Sequence, residues 1–205
     1  MDNKKNDYSV ITAEEWGGDY ELIHQTIYRA HVRNRNNGML YKSELLSGTQ
    51  IKERIDAGET FVAINGGSVM GTASVNIKVG KDWYDRGHLV AHYCYDAVLP
   101  EYQGQGIMKS IDRARDVFSY SKGAEIIRSG TAEKNFIQRN KFKRQGFLPV
   151  DLLAIKDNNF YSVIYAKWLN KTIEPSILEI RFNYIIRVIR TKLLYRIGGK
   201  KRFCL

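Results

Sequence analysis

Residues 87–108 carry the strongest constraint on how this chain can fold. An apolar stretch over 87–99 runs into Pro100, passes a turn holding Gly104 and Gly106, and continues from Ile107 in a helix-like pattern. The segment reads as strand, tight turn, helix. Two closely spaced glycines at a helix start leave backbone N–H groups uncovered, and the helix dipole adds positive potential at the same place. Gln103, Gly104, Gln105, Gly106, Ile107, Met108 and Lys109 thus form a candidate seat for a phosphate or pyrophosphate.

The rest of the chain arranges itself around that unit. Residues 8–12 read as a short strand. Thr12 and Glu15 form a capping-box pattern for a helix expected to run to about His31. The polar stretch 32–48 reads as a loop, and 49–57 as a second short helix. Strands follow at 60–64 and 68–79, around an Asn65-Gly66-Gly67 turn, and at 87–99. A helix over 104–121, a strand at 125–129 and a helix over 132–145, stopped by Gly146, come next. A hairpin of 147–155 and 160–168 closes the series. The order β-α-α-β-β-β-α-β-α-β-β predicts an α/β (α+β) fold, with a mixed, mostly antiparallel central sheet flanked by helices and a C-terminal basic helix beyond it. At 43% hydrophobic residues the chain can bury a real core. We read residues 1–170 as one domain and 171–205 as an extension.

The formal net charge of +10 is unevenly placed. Residues 171–205 hold nine Lys and Arg against two acids, Glu174 and Glu179, so the body is nearly balanced. Ser176 is placed to cap a final helix to about Arg196. In it Leu178, Phe182, Ile185, Ile186, Ile189 and Leu193 recur at helical spacing, with Arg181, Arg187, Arg190, Lys192 and Arg196 spread around them. Three partners suit residues 176–205: the protein's own domain or a dimer mate, an anionic membrane surface, or nucleic acid. The absence of a recognition motif beside the basic residues argues against the last. The polar start predicts no secretory leader, and no stretch is long and apolar enough to span a membrane. Cys94 and Cys204 make neither a disulfide framework nor a metal motif. The expectation is a cytoplasmic protein without a metal, with peripheral membrane contact through the tail as an option.

The element order and the turn resemble the GNAT superfamily of N-acyltransferases, over about residues 8–169. The family's phosphate loop has Arg or Gln, two variable residues, Gly, one variable residue, then Gly or Ala. Here Gln103 and Gly106 match, and Met108 stands where a small residue is usual. A second match is the spacing from Asn135 to Gly146-Phe147, the family's distance from a cofactor-contacting asparagine to the next strand. The resemblance implies acetyl-CoA, or another acyl-CoA, as co-substrate. Its pyrophosphate is expected on the turn amides, and its pantetheine arm along the backbone of Ala97, Val98 and Leu99. An N–H near Val98 would steady the thioester oxygen. Asn135 and Phe142 complete the expected cofactor contacts.

Two positions where the family commonly carries catalytic groups hold other residues here. A glutamate four residues before the strand-exit valine is a common base in the family, and Cys94 stands there. A tyrosine seven residues after the asparagine is a common acid, and Phe142 stands there. On an extended strand His92, Cys94 and Asp96 share one face, unless a bulge breaks the alternation. His92, Asp96 or a water chain is then the candidate base, Cys94 a minor candidate for a covalent route, and Tyr95 or a water a proton source for the thiolate. The acceptor is expected to be a small-molecule primary amine bordered by His31, Arg33, Arg35, Tyr41 and Tyr95. The two arginines suit an acceptor with negative charge near its amine. A module that binds acyl-CoA with little catalysis, or an adaptor working through the tail, are the alternatives.

Overall fold

The computed structural model describes residues 8–55 and 58–198. In chain order the elements are β1 (Ser9–Thr12), α1 (Tyr20–Ala30), α2 (Val32–Asn36), α3 (Gly48–Glu53), β2 (Glu59–Asn65), β3 (Ser68–Val79), β4 (Leu89–Val98), α4 (Ile107–Ser121), β5 (Ile126–Ala132), α5 (Phe136–Arg144), β6 (Leu148–Ala154), β7 (Tyr161–Trp168) and α6 (Ile177–Gly198). The strands form one seven-stranded sheet in the order β1-β2-β3-β4-β5-β7-β6. Pairing is mostly antiparallel; β4 and β5 run parallel, with Val90, Ala91 and His92 opposite Ile126, Ile127 and Arg128.

The expected first helix begins later than its capping box suggests. Thr12 and Glu15 do exchange bonds, Thr12 N–H to the Glu15 carboxylate at 2.8 Å and Glu15 N–H to Thr12 Oγ1 at 3.1 Å. Gly17 and Gly18 then take left-handed backbone, φ +108° and +74°, and end that turn. Asp19 restarts the chain as the N-cap of α1, its carboxylate accepting from Leu22 N–H at 3.0 Å. The expected loop after it contains the short helix α2. Helix α3 opens on a full capping box between Ser47 and Gln50. The expected end of that helix near Ala57, and the Gly199 to Arg202 stretch of the tail, lie outside the described residues.

The chain divides into two compact units. The first holds β1, β2, most of β3, the later part of β4 and helices α1 to α4. Ile23, Ile27, Ile51 and Val62 are fully buried there and pack with Ala13 and Ala97. The second holds the start of β4, β5 to β7, α5 and α6. Its core gathers Val90, Ile126, Val150 and Trp168, and Ile180 anchors α6 to it. Burying an Ile side chain contributes about 1.5–3 kcal/mol, so each unit carries its own sizeable hydrophobic term.

Candidate active site

The turn after β4 takes the geometry its glycines permit. Gly104 and Gly106 both adopt left-handed backbone, φ +80° and +82°. Gly106 is the N-cap of α4, and no side chain caps that helix. Ser110 N–H bonds back to the Gly106 carbonyl at 3.1 Å. The amides of Ile107, Met108 and Lys109 therefore precede the helical ladder, at the positive end of the α4 dipole. Ile107 is buried, Met108 half-buried and Lys109 exposed. The two glutamines bond back to carbonyls of the chain that leads into the turn. Gln103 Nε2 donates to the Val98 carbonyl at 3.0 Å, and Gln105 Nε2 to the Glu101 carbonyl at 3.2 Å. Leu99 N–H donates to the Met70 carbonyl on β3 at 2.9 Å. Strand alternation then directs the Val98 N–H to the opposite edge of β4.

The alternation along β4 breaks at Tyr95, which sits at φ +58° inside the strand. A left-handed tyrosine is uncommon, and such strain concentrates at functional sites. Its effect is visible on either side. Tyr93 Oη donates to Asp116 on α4 at 2.7 Å, and Asp96 accepts from Arg115 on α4 at 2.6 and 3.3 Å. Residues three apart on a regular strand face opposite ways; here both reach the same helix. The expectation that His92, Cys94 and Asp96 share a face is therefore corrected, because the kink turns Asp96 toward α4. Arg115 is buried and also donates to Asp112 at 2.5 Å and to the Ser74 carbonyl at 3.2 Å, with its guanidinium 4.2 Å from the centre of the Tyr93 ring. Burial alone would weaken its charge; Asp96 and Asp112 more than offset this and hold it protonated. Cys94 is half-buried and in no disulfide. Tyr95 packs against the first unit's core, and burial, with a smaller contribution from Cys94, pushes its phenol up to about 12.

The segment expected to border the acceptor is more structured than a solvated loop. Glu44 is buried, and Arg35 donates to its carboxylate. Arg35 also donates to the Tyr28 carbonyl at 2.5 Å and stacks 3.9 Å over the Tyr28 ring. This guanidinium is turned inward, which corrects the picture of Arg35 as an acceptor-facing cation. His31 lies between two acceptors, with Nδ1 3.5 Å from Glu44 Oε1 and Nε2 3.3 Å from the Asp96 carbonyl. Arg33 is exposed.

In the second unit, Tyr41 is held by the hairpin turn between β6 and β7. Asn159 bonds Leu40 N–H and the Gly38 carbonyl, both at 2.9 Å, and Asn158 accepts from Lys42 N–H at 2.7 Å. Tyr41 Oη then receives Ala132 N–H at 3.3 Å and Asn135 Nδ2 at 3.2 Å, and lies 3.3 Å from Thr131 Oγ1. Asn135 caps α5 with its other end, Oδ1 accepting from Gln138 N–H at 3.2 Å. Phe142 is buried against Phe147 and Tyr165. His92 is half-buried, and burial, then Arg128 and Lys78, lower its pKa to about 4. Its imidazole is neutral at physiological pH and is a weak base.

No motif in the sequence singles out Arg115 or reveals that Glu44 is buried. Arg115 had a readable signal, since it continues the i, i+4 series Ile107, Ile111 on the face of α4 that is buried. A charge on such a stripe needs a buried partner. Glu44 gave no comparable signal, since its partner lies across a stretch that reads as loop.

Among the described residues no group of three His, Cys, Asp or Glu is placed to hold a metal ion, and no helix is long and apolar enough to cross a membrane. The sequence model of the acetyltransferase (GNAT) family matches residues 23–147. No curated protein matches the chain. Among solved structures, a GNAT-family acetyltransferase of Staphylococcus aureus Mu50 aligns at TM-score 0.60 and 16% identity, covering 79% of this chain and 99% of its own. An acetyltransferase of Streptococcus agalactiae 2603 aligns at TM-score 0.60 and 16% identity, covering 80% and 99%. The yncA protein of Salmonella typhimurium, solved with its cofactor acetyl-CoA, aligns at TM-score 0.59 and 14% identity, covering 84% and 99%. At these identities the likeness is one of fold.

Proposed function

The chain belongs to the acetyltransferase (GNAT) family, and on that premise we propose that it moves an acetyl or related acyl group from coenzyme A to the primary amine of a small molecule by direct transfer. The observation that carries this reading is the pair of left-handed glycines, Gly104 and Gly106, opening an uncapped α4 at the exit of β4. Amides at a helix N-terminus suit a pyrophosphate, and exposed Lys109 adds charge beside them.

The remaining roles follow from what each group has left to offer. The Val98 N–H, directed away from β3, suits the thioester oxygen as charge develops there. Asp96 has both oxygens on Arg115, and His92 is a poor base, so a water is the best candidate to take the ammonium proton. Tyr95 keeps its proton at neutral pH and sits at the strained point of β4. It is our candidate donor to the leaving thiolate. Asn135, steadied by Tyr41, remains the proposed cofactor contact of the second unit, and Arg33 the cation for an anionic acceptor.

A second reading has its own support. With Cys94 and Phe142 at the positions where the family often has a base and an acid, respectively, a module that binds acyl-CoA with little turnover fits the same turn. Thiol release from acetyl-CoA across an amine panel separates the two. Release that depends on one class of amine supports transfer. Binding of acetyl-CoA with no release from any amine supports the module.

A further inference from the structure

Helix α6 is apolar on two opposite faces. One face is docked: Ile180 is buried, Thr191 Oγ1 donates to the Leu152 carbonyl on β6 at 2.7 Å, and the Tyr195 ring meets Tyr161 at 5.1 Å. Arg187 pairs with Asp151 and Lys192 with Glu133 on the same unit, at 3.9 and 2.8 Å. At 100° per residue the opposite face is a continuous stripe of Leu178, Phe182, Ile185, Ile186, Ile189 and Leu193. All six side chains are exposed, Leu178 at 77%, Phe182 at 66% and Ile189 at 60%. Contiguous apolar patches of this kind mark an interaction surface.

The charges around the stripe select the partner. Exposed Arg181 lies along one margin, exposed Arg190 along the other, and exposed Arg196 follows at the C-terminal end. Glu179, in the first turn, is the helix's single acid. A second copy laid on this stripe would bring cationic margins against cationic margins. A nucleic acid would need cations at the centre of the contact, where there are only aliphatic and aromatic groups. Apolar side chains flanked by arginine fit the boundary of an anionic bilayer, where the stripe enters the acyl region and the arginines meet the headgroups. We propose that the outward face of α6 is a docking surface for anionic lipid, on which the helix lies in the plane of the membrane.

Flotation of the full-length protein with vesicles tests this. One set is phosphatidylcholine alone and the other phosphatidylcholine and phosphatidylglycerol in equal parts. The expected result is binding to the anionic vesicles only, weakened by salt. The double variant Ile185→Glu/Ile189→Glu, at exposed positions, should abolish it. Arg181→Gln/Arg190→Gln should lower the partition constant about 30-fold, from the contribution of each arginine near an anionic surface. Circular dichroism checks that both variants fold; should the isoleucine variant not, the arginine pair, which leaves the apolar stripe intact, carries the test. No vesicle binding, equal binding to both vesicle types, or a dimer in sedimentation that the isoleucine variant disrupts without vesicle binding by the wild type would overturn the proposal. Retention of a DNA oligonucleotide in place of vesicles would overturn it as well.

Discussion

Asp96 on β4 and Arg115 on α4 are joined by two hydrogen bonds, at 2.6 and 3.3 Å. That pair ties β4 to α4 one residue after the left-handed Tyr95 and engages both Asp96 oxygens, which is why Asp96 is not our proposed base. Arg115→Met leaves Asp96 and Asp112 without their shared cation and should cost about 3–5 kcal/mol in urea unfolding. Asp96→Asn leaves Arg115 its bonds to Asp112 and Ser74 and should cost less, about 1–2 kcal/mol. Its turnover should stay within a few-fold of wild type, where loss of a true base would remove about 100-fold or more.

Arg33 and Arg35 lie two residues apart on α2, about 200° around the helix, and should behave differently. Arg35→Ala removes the guanidinium from the buried Glu44 carboxylate and leaves it the longer His31 contact at 3.5 Å, which should lower stability by about 3 kcal/mol, seen as a lower denaturant midpoint. Arg33→Ala should leave the midpoint in place and raise KM for an anionic acceptor only. Equal midpoints for the two variants would contradict the inward placement of Arg35.

His92 links stability to pH. The folded protein keeps it neutral down to about pH 4, whereas the unfolded chain protonates a histidine below about pH 6.5. Protons therefore favour the unfolded chain between those values. The stability is complete above about pH 6.5 and is lost as pH falls toward 4. His92→Gln should flatten that acid-side decline, by on the order of 2 kcal/mol given the partial exposure of the residue. Unfolding midpoints measured across this window check it. The pH profile of kcat should show no limb near pH 6.5 that the variant removes.

Tyr95→Phe keeps the ring that packs on the first unit's core and removes the hydroxyl. The expected loss in kcat is about 100-fold, with KM for acetyl-CoA unchanged. Because burial pushes the phenol up to about 12, the wild-type rate should not fall through Tyr95 ionisation anywhere in the neutral range. A variant with wild-type kcat would move the donor's role to water.

Much of this architecture was legible before the structure. The β3 bounds, the glycine turn, the α4 stop and the final hairpin all follow from alternation, glycine placement and helical spacing. The first helix starts later than the sequence suggests because a genuine capping box precedes two glycines whose left-handed backbone ends the turn. The site was harder to read for a related reason. A single left-handed residue, Tyr95, reverses the parity of everything after it on β4, and nothing about a tyrosine in a Tyr-Cys-Tyr stretch announces positive φ. Arg35 misled because sequence shows a cation and not the buried Glu44 that consumes it. The roles proposed for the turn amides belong to the backbone, so the sequence marks them only through Gly104 and Gly106.

Calorimetric titration of acetyl-CoA tests the assignment of the turn most directly. Gly106→Asp places a carboxylate at the N-terminus of α4, where a pyrophosphate is proposed to sit. Gly123→Asp serves as control, since Gly123 also has left-handed backbone, φ +75°, but follows the other end of the helix. The wild type and Gly123→Asp should bind acetyl-CoA with similar Kd, and Gly106→Asp should bind it at least about 30-fold more weakly, as repulsion and loss of the helix-terminus interaction add. Equal affinity of Gly106→Asp and Gly123→Asp, or no binding by the wild type, would contradict the placement of coenzyme A on this turn.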